Sequence, residues 1–267
     1  MSELWQTLLC DAHAHLGTEA ERREREEGQI LSLLCATTPE EARLLLPLAA
    51  RHNHLLIPTC GIHPWQAESY LLKDMAPWIK LCPVLGEIGM DSVWCQVPLS
   101  MQEHLFRMQL DLACHQKKPV ILHTKGQEAA VARIIRDYPN RYLVHWYSCQ
   151  EYLEQYLELD CYFSVGPDVW WNPAVRHVAR TVPLTRLLTE TDGLAAVAWA
   201  EQEGAAAQIK AAKKGKNRKR QSTVAASLSQ TLKTIADIRG ISLEKAGRQI
   251  RENLLFSFLP SLSGNRS

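Results

Sequence analysis

The sequence predicts an α/β protein with a single (β/α)8 barrel, and three observations support this fold class. Short apolar runs rich in leucine, valine and isoleucine alternate along the chain with longer segments of helical periodicity. There are eight such runs, which favours a closed parallel barrel over the alternative, an open doubly wound sheet. The chain has 267 residues, which is close to the usual length of a single (β/α)8 barrel, so we expect residues 1–267 to form one domain.

The first four predicted strands lie at residues 8–11, 30–36, 55–61 and 84–88. Each is a short apolar run of the length that strands have. The first run leads into the sequence DAHAH at residues 11–15, where a dinucleotide-binding or Walker-type protein would have a glycine-rich phosphate loop. The sequence therefore does not support either kind of nucleotide site.

The other four predicted strands lie at residues 120–123, 142–145, 161–165 and 187–189. Amphipathic segments lie between the apolar runs, and one of them, residues 102–116, precedes the fifth strand. This alternation is typical of βα units, in which the connecting helices bring successive strands into a parallel sheet.

Charge is balanced overall but concentrated in two segments. The 30 basic and 29 acidic residues give a net charge of +1, so the whole chain has no electrostatic signature for nucleic acid or membranes. Residues 19–27 carry charges of both signs and are expected to form a solvated helix face or loop. Residues 210–220 carry basic side chains and no acidic one, within a predicted basic loop or helix-loop insertion at 201–221.

The cysteines and the N-terminus bear on the cellular location. Eight cysteines occur without a Cys-x-x-Cys pair, so they are expected to be small apolar side chains in a reducing compartment. The sequence has neither the basic start and apolar run of a signal peptide nor the roughly 18 uninterrupted apolar residues of a membrane span. We therefore expect a cytoplasmic protein that does not enter membranes, and we infer no obligate protein partner.

Polar residues that can bind metals recur at the ends of the predicted strands, which form the functional face of a parallel barrel. Glu87 interrupts an apolar run that a barrel should bury on both sides, where an unpartnered carboxylate is costly. Metal coordination would offset this charge, and a salt bridge to a buried arginine is the alternative. The other strand-end residues are His13 and His15, His63, His123, His145, and Glu190, Thr191 and Asp192.

The histidines have a structural explanation as well as a chemical one. His13 and His15 are two residues apart on an extended segment, so both side chains point to one side and can approach the same ion. Taken alone, this pair could be two hydrogen-bonded surface histidines, and each later histidine could be a satisfied core residue. Their occurrence together with Glu87 favours a metal site. The spacing does not settle whether Glu190 or Asp192 faces the barrel axis.

Seven short motifs occur in order along nearly the whole chain. They are DAHAH at residues 11–15, GIHP at 61–64, GEIGMD at 86–91, PVILHT at 119–124, VH at 144–145, ETD at 190–192 and NLLF at 253–256. Each motif alone is weak, but the ordered set resembles the TatD family of metal-dependent hydrolases.

The resemblance implies a barrel that holds two divalent metal ions, or three, of magnesium, manganese or zinc. It implies one site formed by His13, His15, Glu87 and Asp192, and another formed by Glu87, His123 and His145, with Glu87 as the bridge. Activity in this family is phosphodiester hydrolysis, typically exonucleolytic on DNA, with related activity on RNA or aminoacyl-tRNA in some members. The expected substrate is therefore a single-stranded DNA or RNA end, cleaved by a 3′-exonuclease.

The expected catalytic residues are Glu87, Asp192 and His63. Water activated by the ions that Glu87 bridges would attack phosphorus, and Asp192 would hold or deprotonate that water. The resemblance implies that His63 contacts the scissile phosphate or the leaving group. Lys125 stands where the family commonly has an arginine, so a bidentate phosphate contact would become a point charge. His63 and Lys125 could stabilise the charge that develops on the phosphoryl oxygens.

Two further sets of residues are candidates for nucleic-acid contacts. The basic segment at residues 210–220 would bind a phosphate backbone near the barrel mouth; the alternative is a solvated loop. Trp146, Trp170 and Trp171 would stack on bases; the alternative is that they pack within the protein. The candidate phosphate contacts are Lys213, Lys214, Lys216 and Arg218.

Other functions stay open at this point. An amidohydrolase acting on C–N bonds or a small phosphoesterase also begins with His-x-His, and an aminoacyl-tRNA deacylase would use a similar site. Many amidohydrolases have a carbamylated lysine as the bridge, whereas this chain has Glu87. A barrel that has lost catalysis and only binds nucleic acid is the remaining alternative. The presence of every expected ligand type opposes it, and such a protein should purify without stoichiometric metal.

Overall fold

The computed structural model describes residues 9–52, 54–211 and 223–259, except for the side chains of residues 208–211. Eight parallel strands form one sheet in sequence order. They are β1 (Cys10–His15), β2 (Leu31–Ala36), β3 (Leu56–Cys60), β4 (Val84–Gly89), β5 (Val120–His123), β6 (Tyr142–Val144), β7 (Tyr162–Val165) and β8 (Leu187–Thr189). All eight predicted strands are confirmed. The largest difference is that β1 runs on to His15, so the His-x-His pair lies within the strand.

The sheet closes into a barrel between its first and last strands. Ala14 and Asp192 form a parallel bridge, and the backbone N–H of Asp192 donates to the carbonyl of His13 at 3.1 Å. Lower in the barrel, the hydroxyl of Thr189 donates to the carbonyl of Cys10 at 2.8 Å. The predicted barrel is therefore confirmed, and the open sheet is not formed.

A helix follows every strand, and two more helices come after α8 in the part of the chain that the structure describes. They are α1 (Glu19–Glu27), α2 (Pro39–Arg51), α3 (Leu72–Leu81), α4 (Leu99–Gln116), α5 (Glu128–Ile135), α6 (Leu153–Leu157), α7 (Pro173–Thr181), α8 (Leu194–Ala211), α9 (Val224–Arg239) and α10 (Leu243–Glu252), after which Asn253–Phe258 form a π-helical turn. Local sequence explains where several begin. Thr18 and Glu21 form a capping box at α1, and Thr38 caps α2 with Pro39 at its first turn.

The core lies inside the barrel and between the strands and helices. Every residue of β2 and β4 is buried, as expected for parallel strands that are covered on both faces. All eight cysteines are free, and the five that are buried fit the prediction of small apolar side chains. They are Cys10, Cys35, Cys60, Cys82 and Cys161. Among the described residues, the helices are too short or too polar to cross a membrane.

The charged segment 19–27 forms α1, but the prediction that it is solvated is wrong for one side of the helix. Arg25 is 1% exposed, and its guanidinium lies 2.6 Å from the carboxylate of Asp11 in β1. The same guanidinium donates to the hydroxyls of Ser32 and Thr191, at 3.1 and 3.3 Å. A carboxylate buried in the barrel wall needs a cation, because an unpartnered buried charge is costly. The mixed charges of the segment do not show which side chain meets that need.

The predicted insertion at residues 201–221 is described only in part. Residues 201–211 belong to α8, the helix that follows β8. The remainder lies outside the described residues, and so do Lys213, Lys214, Lys216 and Arg218. The basic loop and its phosphate contacts therefore stay predictions.

Candidate metal centre

The strand-end residues meet around Glu87, whose carboxylate lies at the centre of the barrel mouth. Its Oε1 is 2.6 Å from His145 Nε2 and 2.7 Å from His123 Nδ1. The same oxygen is 3.4 Å from His63 Nε2, and Oε2 is 3.2 Å from His13 Nε2. Glu87 itself is 1% exposed. Four imidazoles from different parts of the sequence thus surround one buried carboxylate.

Asp192 supplies the second carboxylate of this cluster. Its Oδ1 is 3.3 Å from His13 Nε2 and 3.5 Å from His15 Nε2. Glu190, the residue that spacing left as the alternative, lies on the buried side, where it accepts a hydrogen bond from the hydroxyl of Ser164 at 2.7 Å. Asp192 therefore faces His13 and His15, while the buried Glu190 lies 3.7 Å from Nδ1 of His145, the ring nitrogen that does not face Glu87.

The ligand atoms form three overlapping groups, within each of which all atoms lie within 4.8 Å of one another. The groups are His13, Glu87 and His145; His13, His15 and Asp192; and His63, Glu87 and His123. The six predicted metal ligands are thus brought together. His63, predicted as a substrate contact, belongs to one of these groups, with its Nε2 3.4 Å from Glu87 Oε1 and 3.4 Å from His123 Nδ1.

Unpartnered polar atoms at this position fit a bound cation. His13 Nε2, Glu87 Oε2 and Asp192 Oδ1 are buried, and none has a hydrogen-bond partner among the described residues. A divalent ion would satisfy all three atoms at once. A mixed set of imidazoles and carboxylates suits zinc or manganese and also accepts magnesium. The residues present therefore fit a metal centre.

Burial and charge act in opposite directions on the titratable groups of the cluster. Burial disfavours the charged form of His13, but the carboxylates of Glu87 and Asp192 outweigh this effect and raise its pKa to about 9. The pKa of His145 is raised well above its usual value, because Glu87 outweighs burial there too. Burial would raise the pKa of Glu87, but His145, His63 and His13 hold it well below its usual value. Without metal, the cluster therefore combines an anionic carboxylate with protonated histidines at neutral pH.

Metal binding should become tighter as the pH rises. Below pH 9 the metal-free protein keeps His13 protonated, whereas a metal ion binds neutral imidazole, so a proton must leave. For each proton released, the apparent affinity should rise about tenfold per pH unit until the pH reaches this pKa. Calorimetric titration with Zn²⁺ in buffers of different ionisation enthalpy measures both the affinity and the protons released. A constant affinity between about pH 6 and 8, without proton release, would contradict the prediction.

Asp91, the last residue of the GEIGMD motif, orients part of the cluster. Its Oδ2 accepts hydrogen bonds from His123 Nε2 at 3.1 Å and from Trp65 Nε1 at 2.7 Å. Its Oδ1 accepts the backbone N–H groups of Val93 and Trp94, at 2.7 and 2.9 Å. Because Nε2 of His123 donates to Asp91, Nδ1 is left to face Glu87 or a metal ion. Strand-end spacing does not indicate this residue, and its place in the motif is the only sequence signal.

A cavity of about 400 Å³ opens beside the cluster at the carboxyl ends of the strands. Lys125, predicted as a substrate contact, lines this cavity, and its Nζ donates to the hydroxyl of Ser148 at 3.0 Å. Asp168 lies at the cavity wall, and burial raises the pKa of its carboxyl to about 6. The cavity therefore places a cation and the metal-ligand cluster around one space.

The tryptophans predicted to stack on bases have different positions. Trp146 lines the cavity, whereas Trp170 and Trp171 pack beside Gly204 of α8, where an added Cβ would come within 2.5 Å of both rings. The ring nitrogen of Trp171 also donates to a backbone carbonyl of α8 at 3.0 Å. Packing is thus what the structure shows for these two. Three other tryptophans line the cavity without any sequence pattern that indicates it: Trp65, Trp94 and Trp199.

Comparisons with known proteins agree with this architecture. The chain is 26% identical over 206 residues to the uncharacterized metal-dependent hydrolase YabD of Bacillus subtilis, covering 69% of this chain and 80% of that protein. It is 27% identical over 184 residues to the 3′-5′ ssDNA/RNA exonuclease TatD of a Rahnella species, covering 64% of this chain and 69% of that protein. The crystal structure of the TatD homologue YjjV of Escherichia coli superposes with a TM-score of 0.76 at 20% identity, covering 96% of this chain and 99% of that one.

The family match extends over the barrel and its site. The sequence model described as "TatD related DNase" matches residues 10–258, which include every described residue of the metal-ligand cluster. The relatives named as metal-dependent hydrolases agree with a cluster whose unpartnered atoms fit a cation. The chain therefore belongs to the TatD related DNase family and is a TatD-type metal-dependent hydrolase.

Proposed function

We propose that the protein is a metal-dependent phosphodiesterase that removes nucleotides from the 3′ ends of single-stranded DNA or RNA. The observation that carries this proposal is the position of Glu87, which belongs to a group with His13 and to another with His123. Such sharing suits two neighbouring ions on one phosphoryl group. The ions would polarise the phosphoryl group and supply water activated for attack.

The residues around this position have separate tasks. The carboxylates of Glu87 and Asp192 both lie against the imidazole of His13, at 3.2 and 3.3 Å. Asp192 would accept a proton from the attacking water. Burial lowers the pKa of His63 to about 4, so this side chain is neutral at pH 7. Its Nδ1 accepts the backbone N–H of Trp65 at 3.2 Å, which leaves the proton on Nε2, the atom that faces Glu87. His63 can therefore donate a hydrogen bond to a phosphoryl oxygen there.

A nucleic-acid substrate is supported by the cavity and by one class of relatives. Lys125 places a positive charge in the same space as the cluster, where it can meet a phosphate of the backbone. A relative at 27% identity is named a 3′-5′ ssDNA/RNA exonuclease. Lys213, Lys214, Lys216 and Arg218 lie outside the described residues and are predicted to add further phosphate contacts.

The proposal is tested by hydrolysis of labelled oligonucleotides. Metal-free protein should not cleave, and addition of Mg²⁺, Mn²⁺ or Zn²⁺ should restore stepwise loss of nucleotides from the 3′ end of single-stranded DNA or RNA. His123→Ala should abolish this activity, because it removes one ligand of the cluster. His52→Ala is the matched control, since this histidine lies at the end of α2 and pairs with Glu26 at 3.3 Å.

A different result would point to another substrate class. Stoichiometric metal binding without cleavage of either polymer would overturn the nuclease proposal. The same metal-loaded protein would then be assayed on small phosphoesters, aminoacyl-tRNA and amides.

A further inference from the structure

Three tryptophans form a continuous aromatic surface at one side of the cavity. The rings of Trp94 and Trp199 meet edge to face with centroids 5.9 Å apart, and those of Trp199 and Trp146 meet in the same way at 6.0 Å. Trp94 is 52% exposed and Trp199 is 42% exposed. We call Trp94, Trp146 and Trp199 the tryptophan wall. Large aromatic side chains left open beside a reactive cluster indicate a ligand that covers them.

Contacts within the protein hold two members of the tryptophan wall. Trp146 donates from its ring nitrogen to Asp168 at 2.8 Å. Its ring also lies so close to Gly166 that an added Cβ would come within 2.5 Å. The Trp94 backbone is fixed by Asp91, the same residue that orients His123. Because these contacts position the Trp146 ring and the Trp94 backbone, a stacked ligand would lose less affinity to ordering this part of the wall.

The polar groups beside the tryptophan wall show what kind of ligand fits. Lys125 Nζ lies 5.0 Å from the centroid of the Trp94 ring, so a cation and an aromatic face are presented together. At the other end, the Asp168 carboxylate accepts hydrogen bonds from Trp146 and from the Asn172 side chain, the latter at 2.7 Å. Trp146 and Asp168 thus already satisfy each other's polar groups. What the three rings of the wall share is an aromatic face on which a base can stack.

We propose that the tryptophan wall stacks the base of the terminal nucleotide while its phosphate lies at the Glu87 cluster. This inference rests on the proposed function and deepens it, because it names the part of the substrate that sets affinity. A cavity of about 400 Å³ contains both the wall and the cluster. Stacking accepts any base, because every base has a π-face. The enzyme therefore requires a terminal base but discriminates little among the four.

The test compares oligonucleotides that end in a normal nucleotide or in an abasic one. We expect kcat/KM of the metal-loaded wild-type enzyme to be roughly tenfold or more higher for the normal end, the size that one stacked base contributes. Trp94→Leu and Trp199→Leu should bring this ratio close to one. Trp78→Leu is the matched control, because Trp78 lies on α3 and packs against Arg43, outside the cavity. It should keep the wild-type ratio.

Ligand binding gives a second readout that does not depend on cleavage. A dinucleotide should quench tryptophan fluorescence in the wild-type protein, and the abasic analogue should quench it much less. Cleavage without any preference for a terminal base, or a preference that survives in Trp94→Leu and Trp199→Leu, overturns the proposal that the tryptophan wall stacks a base. Either result leaves the nuclease proposal standing. Quenching that needs the base and Trp94, without cleavage of either oligonucleotide, supports the wall and overturns the nuclease proposal.

Discussion

Glu87→Gln should lower the content of bound divalent metal and reduce hydrolysis by about three orders of magnitude or more. Glutamine keeps the size of the side chain but removes the charge that four imidazoles contact at 2.6 to 3.4 Å. Two of the three ligand groups contain Glu87, so both lose their shared carboxylate. Metal analysis of the purified variant, together with rates at saturating Mn²⁺, measures both losses.

The titration of His13 gives an independent test of Glu87→Gln. In the metal-free variant, burial still disfavours the imidazolium, but the largest opposing charge is gone. The pKa of His13 should therefore fall below its value of about 9, which NMR titration can follow. Glu103→Gln is the control, because Glu103 pairs on the surface with Arg107 in α4. Wild-type metal content and rate in Glu87→Gln would show that this carboxylate is not a ligand.

Arg25→Ala should lower the free energy of unfolding by about 3–5 kcal/mol, although the hydrogen bonds of Arg25 go to Asp11, Ser32 and Thr191 rather than to a predicted metal ligand. The substitution leaves the Asp11 carboxylate buried without its cation. Asp11 also accepts the backbone N–H and the hydroxyl of Thr191, at 2.9 and 2.6 Å, and thereby ties β1 to the segment that carries Asp192. Denaturant unfolding measures the loss, and we expect the melting temperature to fall by roughly 10 °C.

Two further variants show whether this effect comes from the buried charge. Arg23→Ala removes an arginine from the same helix, where it forms an exposed pair with Glu19 at 3.3 Å, and it should change stability little. The double variant Arg25→Met with Asp11→Asn should be more stable than Arg25→Ala, because no uncompensated charge remains. A loss in Arg25→Ala no larger than in Arg23→Ala would contradict the structural role of the ion pair.

The eight strands and the identity of the strand-end residues could be predicted from local sequence. A parallel strand covered on both faces is an apolar run. The residue that ends it lies at the functional face of the barrel, and this position does not depend on how the surrounding helices pack. This is why Glu87, His123 and His145 could be singled out from their positions after apolar residues. The ordered motifs then supplied what single positions could not, namely that these residues belong together.

The sequence by itself thus determined the barrel, the edge at which polar residues collect and the type of ligand they offer. Only the tertiary structure decided which side chains meet. Arg25 reaches Thr191 across 166 residues of sequence, and Asp192 rather than Glu190 faces the histidine cluster. The meeting of Trp94 with Trp199 also depends on two segments that touch only in the folded barrel. Periodicity specifies the face on which one element is buried, whereas contacts between elements depend on distances that arise when the barrel closes.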